Sequence, residues 1–309
     1  MNNEGKGIEI EQPNHSLSHY GHNELLVDCG RLIQAYPFVN GYVIGHSVLG
    51  RPIIALKCGV GSRRVHVNAA FHANEWITSA LLMRYMEDWA SACATDGLIN
   101  GEHARQLYNE VTLWSVPMVN PDGVQLALEG VPRTHPFAEL LQQWNGGSNH
   151  FDQWKANARG VDLNDQFPAH WEEECARRGT KGPGPRDYPG PYPLSEPEAA
   201  AMAQFTAVLQ FDTAVALHTQ GEEIYWNYRD FEPEQSEELA NRLGKASGYK
   251  PIKLEGSDAG YKDWFIQQYR RPGFTIEAGN GVNPLPVGQF AQMYKSVQPL
   301  LTETLRLHR

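Results

Sequence analysis

Residues 65–75 read V-H-V-N-A-A-F-H-A-N-E: apolar side chains alternate along Val65, Val67, Ala69 and Phe71, and the chain then turns polar at His72 and Glu75. The alternation predicts a strand. A helical pattern follows directly over 76–94, with Leu81, Leu82, Tyr85, Met86 and Trp89 on one face. A strand that passes into a helix through a short polar turn is the building unit of an α/β domain, and it puts the turn residues at the edge of the sheet. Two further apolar strands end on residues of the same chemistry. Strand 213–218 closes on His218 in A-L-H-T-Q-G, and strand 273–277 closes on Glu277 in F-T-I-E-A-G. Three of these four side chains suffice to hold one zinc ion with a position left for water, and a remaining carboxylate is free to handle protons.

The rest of the chain supports one α/β domain with a mixed sheet. Asn23–Tyr36 reads as an amphipathic helix stopped by Pro37. Strand signals follow at Tyr42–His46 and Ile53–Lys57, joined by a turn at Leu49-Gly50-Arg51-Pro52, which predicts an antiparallel hairpin. Val111–Val119 is expected as a buried strand ended by a turn at Asn120-Pro121-Asp122-Gly123. Residues 130–190, rich in Gly, Pro, Asn and Trp and without periodicity, read as long surface loops of functional use. Ser195-Glu196-Pro197-Glu198 predicts a capping box opening a helix that runs through Gln210. Beyond the strand at 213–218 the pattern gives strand 223–226, helix 233–247, a short extended piece at 250–254, helix 261–269 and a closing helix over about 287–307. Residues 1–18 are expected to form a flexible extension and 19–309 the catalytic domain.

Composition narrows the class. The chain has 309 residues, 41% of them hydrophobic and 20% charged, enough to bury a large core. No apolar run reaches the ~18 residues of a membrane helix. The polar, acidic N-terminus carries no signal-peptide pattern, so a cytoplasmic protein is expected, with association to a spore or cell wall as the other setting. A net charge of −10 argues against nucleic acid or an anionic membrane as partner. Cys29, Cys58, Cys93 and Cys175 are widely spread and read as free thiols.

The His-x-x-Glu spacing is common by itself, and twelve histidines make chance occurrence a serious alternative. The order of several blocks is specific. F-H-A-N-E-W, N-P-D-G, W-K-A-N-A-R-G-V-D-L-N, S-E-P-E, A-L-H-T-Q-G and G-F-T-I-E-A-G follow one another as they do in the zinc carboxypeptidase family, which the chain resembles over roughly residues 20–305. The resemblance implies a single α/β domain with a mixed, mostly parallel eight-stranded sheet between helices. It implies one Zn²⁺ held by His72, Glu75 and His218, with Asp162 orienting a ligand imidazole. Glu277 is then the general base. Lys155 stands where the family has an arginine beside the oxyanion, and Arg159 competes for that role.

The substrate side departs from a carboxypeptidase. Asp165 occupies the place of the arginine that grips a C-terminal carboxylate, and like charges repel there. Asn164 remains as a hydrogen-bond donor, and Thr219 and Gln220 follow the ligand His218 toward the substrate side. The position of the family's capping tyrosine holds Glu255, and Lys262 falls at the specificity position. Asp165 for an ammonium and Lys262 for a carboxylate would together suit the zwitterionic end of diaminopimelate, although an Asp165–Lys262 surface pair would look the same in sequence. The blocks G-V-D-L-N-D-Q-F-P-A-H-W-E-E-E and H-T-Q-G-E-E-I-Y-W resemble bacterial γ-D-glutamyl-L-diamino acid endopeptidases in particular. The implied partners are peptidoglycan stem peptides; without cell-wall-binding repeats, soluble muropeptides are favoured over intact wall. The alternatives are a metallocarboxypeptidase for ordinary peptides, a zinc-dependent N-acyl amino acid deacylase, and a catalytically inactive peptidoglycan-binding module.

Overall fold

The computed structural model describes residues 18–307; the expected N-terminal extension falls almost entirely outside them. Ten strands form two sheets: β1 Asn40–His46, β2 Pro52–Cys58, β3 Arg63–Ala69, β4 Leu98–Ile99, β5 Glu102–His103, β6 Val111–Val116, β7 Thr213–His218, β8 Glu223–Tyr225, β9 Lys250–Ile252 and β10 Gly273–Glu277. Eight of them build one mixed sheet in the order β1-β2-β6-β3-β7-β10-β8-β9, and β4 with β5 makes a small separate ribbon. The hairpin β1–β2 is antiparallel, as the turn residues predict. The centre, β6-β3-β7-β10, is parallel throughout.

Helices cover both faces, so the central strands are buried on both sides and carry apolar side chains toward each. In β3, Val65, Val67 and Ala69 join the core on the side of helices His22–Ala35, Ile77–Ala94, Ser236–Ser247 and Phe290–Thr304. In β7, Ala214 and Ala216 face the opposite core with helices Pro197–Leu209 and Tyr261–Tyr269. A fully buried leucine such as Leu81 or Leu217 contributes about 2–3 kcal/mol by leaving water. The polar members of β3 are also accommodated. His66 bonds the Trp114 carbonyl at 3.0 Å and stacks on Phe211 at 4.6 Å, and burial drives its pKa down to about 3, leaving it neutral.

Three local expectations are corrected. Asn120-Pro121-Asp122-Gly123 is the start of a helix, Pro121–Glu129, rather than a turn ending a longer strand. The Asn120 side chain accepts the Gly123 N–H at 3.0 Å and Pro121 takes the first helical position, where its missing N–H costs nothing. A side chain at 123 would press against the Ala156 carbonyl at 2.3 Å, which requires glycine. The 130–190 region holds helices Ala138–Trp144 and Trp171–Arg178, and its Phe151, Trp154, Leu163 and Phe167 are buried. Its aromatic residues, spaced without a period, pack in small local clusters such as Phe151 on Trp154 and leave no pattern to read. The capping box at Ser195 does not form: the Ser195 hydroxyl bonds Gln166 and Glu196, and Glu196 occupies the cap position.

Glu198, in the first turn of that helix, is instead buried. Its carboxylate accepts the Val48 N–H at 3.0 Å and the Asn157 amide at 3.4 Å. Burial raises its pKa from 4.5 to about 7, against the pull of the backbone N–H groups. The folded state therefore keeps a proton that the unfolded chain releases. The associated stability is complete below about 4.5 and lost as pH rises through about 7. Glu198→Gln keeps the acceptor without the charge. The melting temperature of Glu198→Gln relative to the parent should rise between pH 5 and pH 8, by the equivalent of up to about 3 kcal/mol. Parallel pH profiles for the two proteins would show that Glu198 does not carry this linkage.

Candidate metal centre and active site

The parallel strands β3, β7 and β10 are neighbours, so their carboxyl ends open on one side of the sheet. The chain leaves β3 toward β6 on one flank and β7 on the other, the topological reversal at which open α/β sheets form clefts. His72 lies three residues past β3, Glu75 ends the single helical turn Ala73–Glu75, and His218 and Glu277 are paired across β7 and β10. These ends frame a cleft of ≈ 370 Å³ lined by Glu75, Lys155, Thr219, Gln220 and Glu277, together with Asn74, Gln153, Arg186, Tyr225 and the loop Gly281–Asn283.

Three of these side chains converge. His72 Nδ1 lies 2.8 Å from Glu75 Oε1, His218 Nδ1 lies 3.0 Å from Glu75 Oε2, and the two Nδ1 atoms are 3.1 Å apart. Ligand atoms of a tetrahedral zinc site with bonds of ~2.0–2.1 Å stand ~3.3 Å from one another, so the spacing fits. All three residues are buried. Two imidazole nitrogens facing each other at 3.1 Å cannot both carry a proton, and with the Glu75 carboxylate they make a donor set that a cation fits. Burial opposes charge on Glu75 and on His218, and their mutual attraction outweighs it, lowering the pKa of the first and raising that of the second.

The surroundings fix these groups in place. His72 Nε2 lies 3.3 Å from Asp162 Oδ1, the contact expected of a carboxylate that orients a ligand imidazole. Asp162 is fully buried and accepts backbone N–H groups of Asn164 and Asp187, both at 3.2 Å. Lys155 Nζ lies 2.8 Å from Asp162 Oδ2. Burial works against its charge, yet Asp162, Asp165 and Glu75 raise its pKa, so it stays an ammonium. Glu75 also accepts the Thr219 N–H at 3.2 Å and the Asn283 amide at 3.3 Å.

Glu277 differs from Glu75. It is half-buried and lines the cleft, and its carboxylate takes no hydrogen bond among the described residues. Burial raises its pKa to about 8, with His218 and Lys155 pulling down and Glu75 pushing up. A divalent cation at the adjacent ligands adds a further downward pull. The group is thus a proton acceptor with no structural commitment.

The competing expectations for other residues separate on placement. Arg159 is exposed and turned toward Glu196 at 3.6 Å, away from the cleft that Lys155 lines. Asp165 is buried and paired with Arg178, at 2.9 Å from both Nε and Nη2. Lys262 is buried, its Nζ donates to the Asn227 carbonyl at 2.6 Å, and it pairs with Asp263 at 2.6 Å. A buried charge needs such partners, and for each residue they come from its own neighbourhood, so no Asp165–Lys262 pair forms. Asn164 spends its carbonyl oxygen on the Tyr261 N–H at 3.1 Å, and Glu255 is an exposed loop residue. None of these four lines the cleft, whereas Thr219 and Gln220 do.

Sequence reasoning missed Asn283, Tyr225 and Arg186. Asn283 hydrogen-bonds both Thr219 and Glu75, and Tyr225 donates to Glu223 at 2.6 Å. No spacing announces them: Asn283 lies 208 residues from Glu75, and Tyr225 reaches the site only through the antiparallel β8–β10 pairing.

A parallel sheet edge carrying two imidazoles, a ligand carboxylate, a free carboxylate and an ammonium defines a zinc-dependent hydrolase of the metallopeptidase class. The chain belongs to the zinc carboxypeptidase family, whose model matches residues 28–295. It is 48% identical over 276 residues to gamma-D-glutamyl-L-diamino acid endopeptidase 1 of Lysinibacillus sphaericus, covering 89% of this chain and 69% of that protein. It is 43% identical over 282 residues to the uncharacterized protein YqgT of Bacillus subtilis (strain 168), covering 90% and 75%. Bovine thrombin-activatable fibrinolysis inhibitor, solved in complex with tick carboxypeptidase inhibitor, shares the fold at a TM-score of 0.72 and 19% identity, over 93% of this chain and 96% of that one.

Proposed function

We propose that this zinc metallopeptidase hydrolyses the γ-D-glutamyl–diaminopimelate amide of peptidoglycan-derived peptides, with soluble muropeptides as the partners. The observation that carries the hydrolytic reading is the uncommitted Glu277 carboxylate at the cleft, one strand from the His72–Glu75–His218 cluster. The substrate reading is supported by the 48% identical relative, whose name gives a γ-D-glutamyl-L-diamino acid bond as the one cut. It is supported also by Asp165, which pairs with Arg178 and supplies no cation to a C-terminal carboxylate.

His72, Glu75 and His218 would hold a zinc ion, which would supply Lewis-acid polarisation of the amide carbonyl and a water of lowered pKa, ~7. Asp162 holds the His72 ring, and Asn283 with the Thr219 N–H holds the Glu75 carboxylate, so these groups keep their orientation. The Glu277 carboxylate takes the proton of the attacking water and passes it to the nitrogen of the departing amine. The Lys155 ammonium faces the negative charge that develops on the carbonyl oxygen. Asp162 keeps that ammonium charged and in place.

The test is product analysis by mass spectrometry after incubating the zinc-loaded protein with L-Ala-γ-D-Glu-diaminopimelate and, separately, with peptides ending in Phe or Lys. Free diaminopimelate is the expected product, with the ordinary peptides left intact. Release of terminal Phe or Lys, with the γ-glutamyl peptide untouched, would overturn the assignment in favour of a carboxypeptidase.

A further inference from the structure

Two cations line the cleft, and they differ in what they already hold. Lys155 is paired with Asp162 at 2.8 Å and lies 3.8 Å from Asp187. Arg186 is exposed, and its guanidinium touches only the Gln153 carbonyl, at 3.5 Å. It faces no carboxylate within ion-pair distance among the described residues, in a protein with 36 acidic side chains against 26 lysines and arginines. Its backbone is nonetheless firmly placed. The Pro185 carbonyl accepts the N–H groups of Lys155 at 2.8 Å and Ala156 at 3.1 Å. On the other side the Asp187 N–H donates to Asp162, and the Asp187 carboxylate meets Arg178 at 2.8 Å. An unpaired guanidinium on a pinned segment at the mouth of a catalytic cleft is arranged to take a carboxylate from solution.

Its location indicates which carboxylate. Arg186 is tied through Pro185 to the segment that carries Lys155, which the proposed mechanism sets against the attacked carbonyl, and on that reading Arg186 serves the acyl side of the bond. An ordinary peptide presents no charge there beside its carbonyl. A γ-linked glutamyl residue does, because its α-carboxylate stays free a few bonds from the scissile amide. Resting on the function proposed above, we propose that Arg186 is a specificity-determining residue that binds the free α-carboxylate of the γ-D-glutamyl group on the acyl side of the cleaved bond.

The experiment compares L-Ala-γ-D-Glu-diaminopimelate with the same peptide carrying an α-carboxamide on the glutamyl residue, using the zinc-loaded parent, Arg186→Ala and Arg186→Lys. The parent should prefer the free acid by about 10- to 100-fold in kcat/KM, the range of a charge-assisted hydrogen-bond pair. Arg186→Ala should lose that preference through a higher KM on the acid, with the amide cleaved as before, and Arg186→Lys should restore part of it. Because Arg186 is exposed, the variants should melt with the parent. Equal use of acid and amide by the parent, or an Arg186→Ala variant slowed equally on both, overturns the assignment of Arg186 alone. A parent that cleaves neither peptide overturns the proposed function and this contact with it.

Discussion

Glu277→Gln should lower kcat by about 10²- to 10⁴-fold while the purified protein retains its zinc. The substitution keeps size and hydrogen-bonding reach and removes only the ability to take a proton. The ligands His72, Glu75 and His218 hold one another through Glu75 and do not depend on Glu277. Zinc content by elemental analysis and turnover by product release separate the two effects. The variant should also be as stable as the parent or more so, because a carboxylate that burial pushes up to about 8 and that no donor satisfies is a cost to the fold. Full turnover in the variant would assign the base elsewhere. Loss of zinc together with activity would make Glu277 a support of the metal.

Lys155→Met should reduce kcat by about 10²- to 10³-fold with a smaller effect on KM, the pattern of a group that meets charge only as the transition state forms. Met retains the aliphatic length and discards the charge. Stability should fall as well, by about 1–3 kcal/mol, since Asp162 loses its ammonium partner. Asp162 still accepts two backbone N–H groups, which keeps the loss below that of a wholly unpaired buried ion. Lys155→Arg should recover much of both, because the position needs a cation that reaches Asp162. A raised KM at constant kcat would place Lys155 in substrate binding instead.

The fold was legible because its strands and helices are strongly periodic. β7 and β10 begin and end where apolar runs meet polar turns, and the helix Tyr261–Tyr269 has the bounds its pattern implies. The site was legible for a related reason: His218 and Glu277 end apolar strands and His72 lies three residues past one, where a titratable residue has few structural excuses. Asn120 shows the limit of local reading, since an Asn-Pro-Asp-Gly string serves equally as a turn or as a capped helix start. The choice between them depended on the neighbouring carbonyls of Phe71 and Ala156, which the Asn120 amide satisfies.

On the substrate side the structure adds what sequence cannot carry, and the reason is electrostatic. Asp165 and Lys262 are both charged and both buried, and from sequence each looked available to a ligand of opposite sign. Whether a buried charge is available depends on what surrounds it in space. Arg178 lies 13 residues beyond Asp165 on a helix that the sequence did not disclose, and it neutralises that carboxylate. Arg186, in an aperiodic stretch and overlooked, turned out to be the unpaired cation at the cleft.

By itself, then, the sequence determined the α/β class, the strand ends that carry the zinc ligands and Glu277, and the resemblance that orders them. These follow from period and position, which the chain carries locally. Only the tertiary structure decided which charges are spent and which are free, because ion pairing depends on distances across the fold. Those distances turn Lys155 toward the cleft and Arg159 away from it, close Asp165 on Arg178, and leave Arg186 open to a substrate carboxylate.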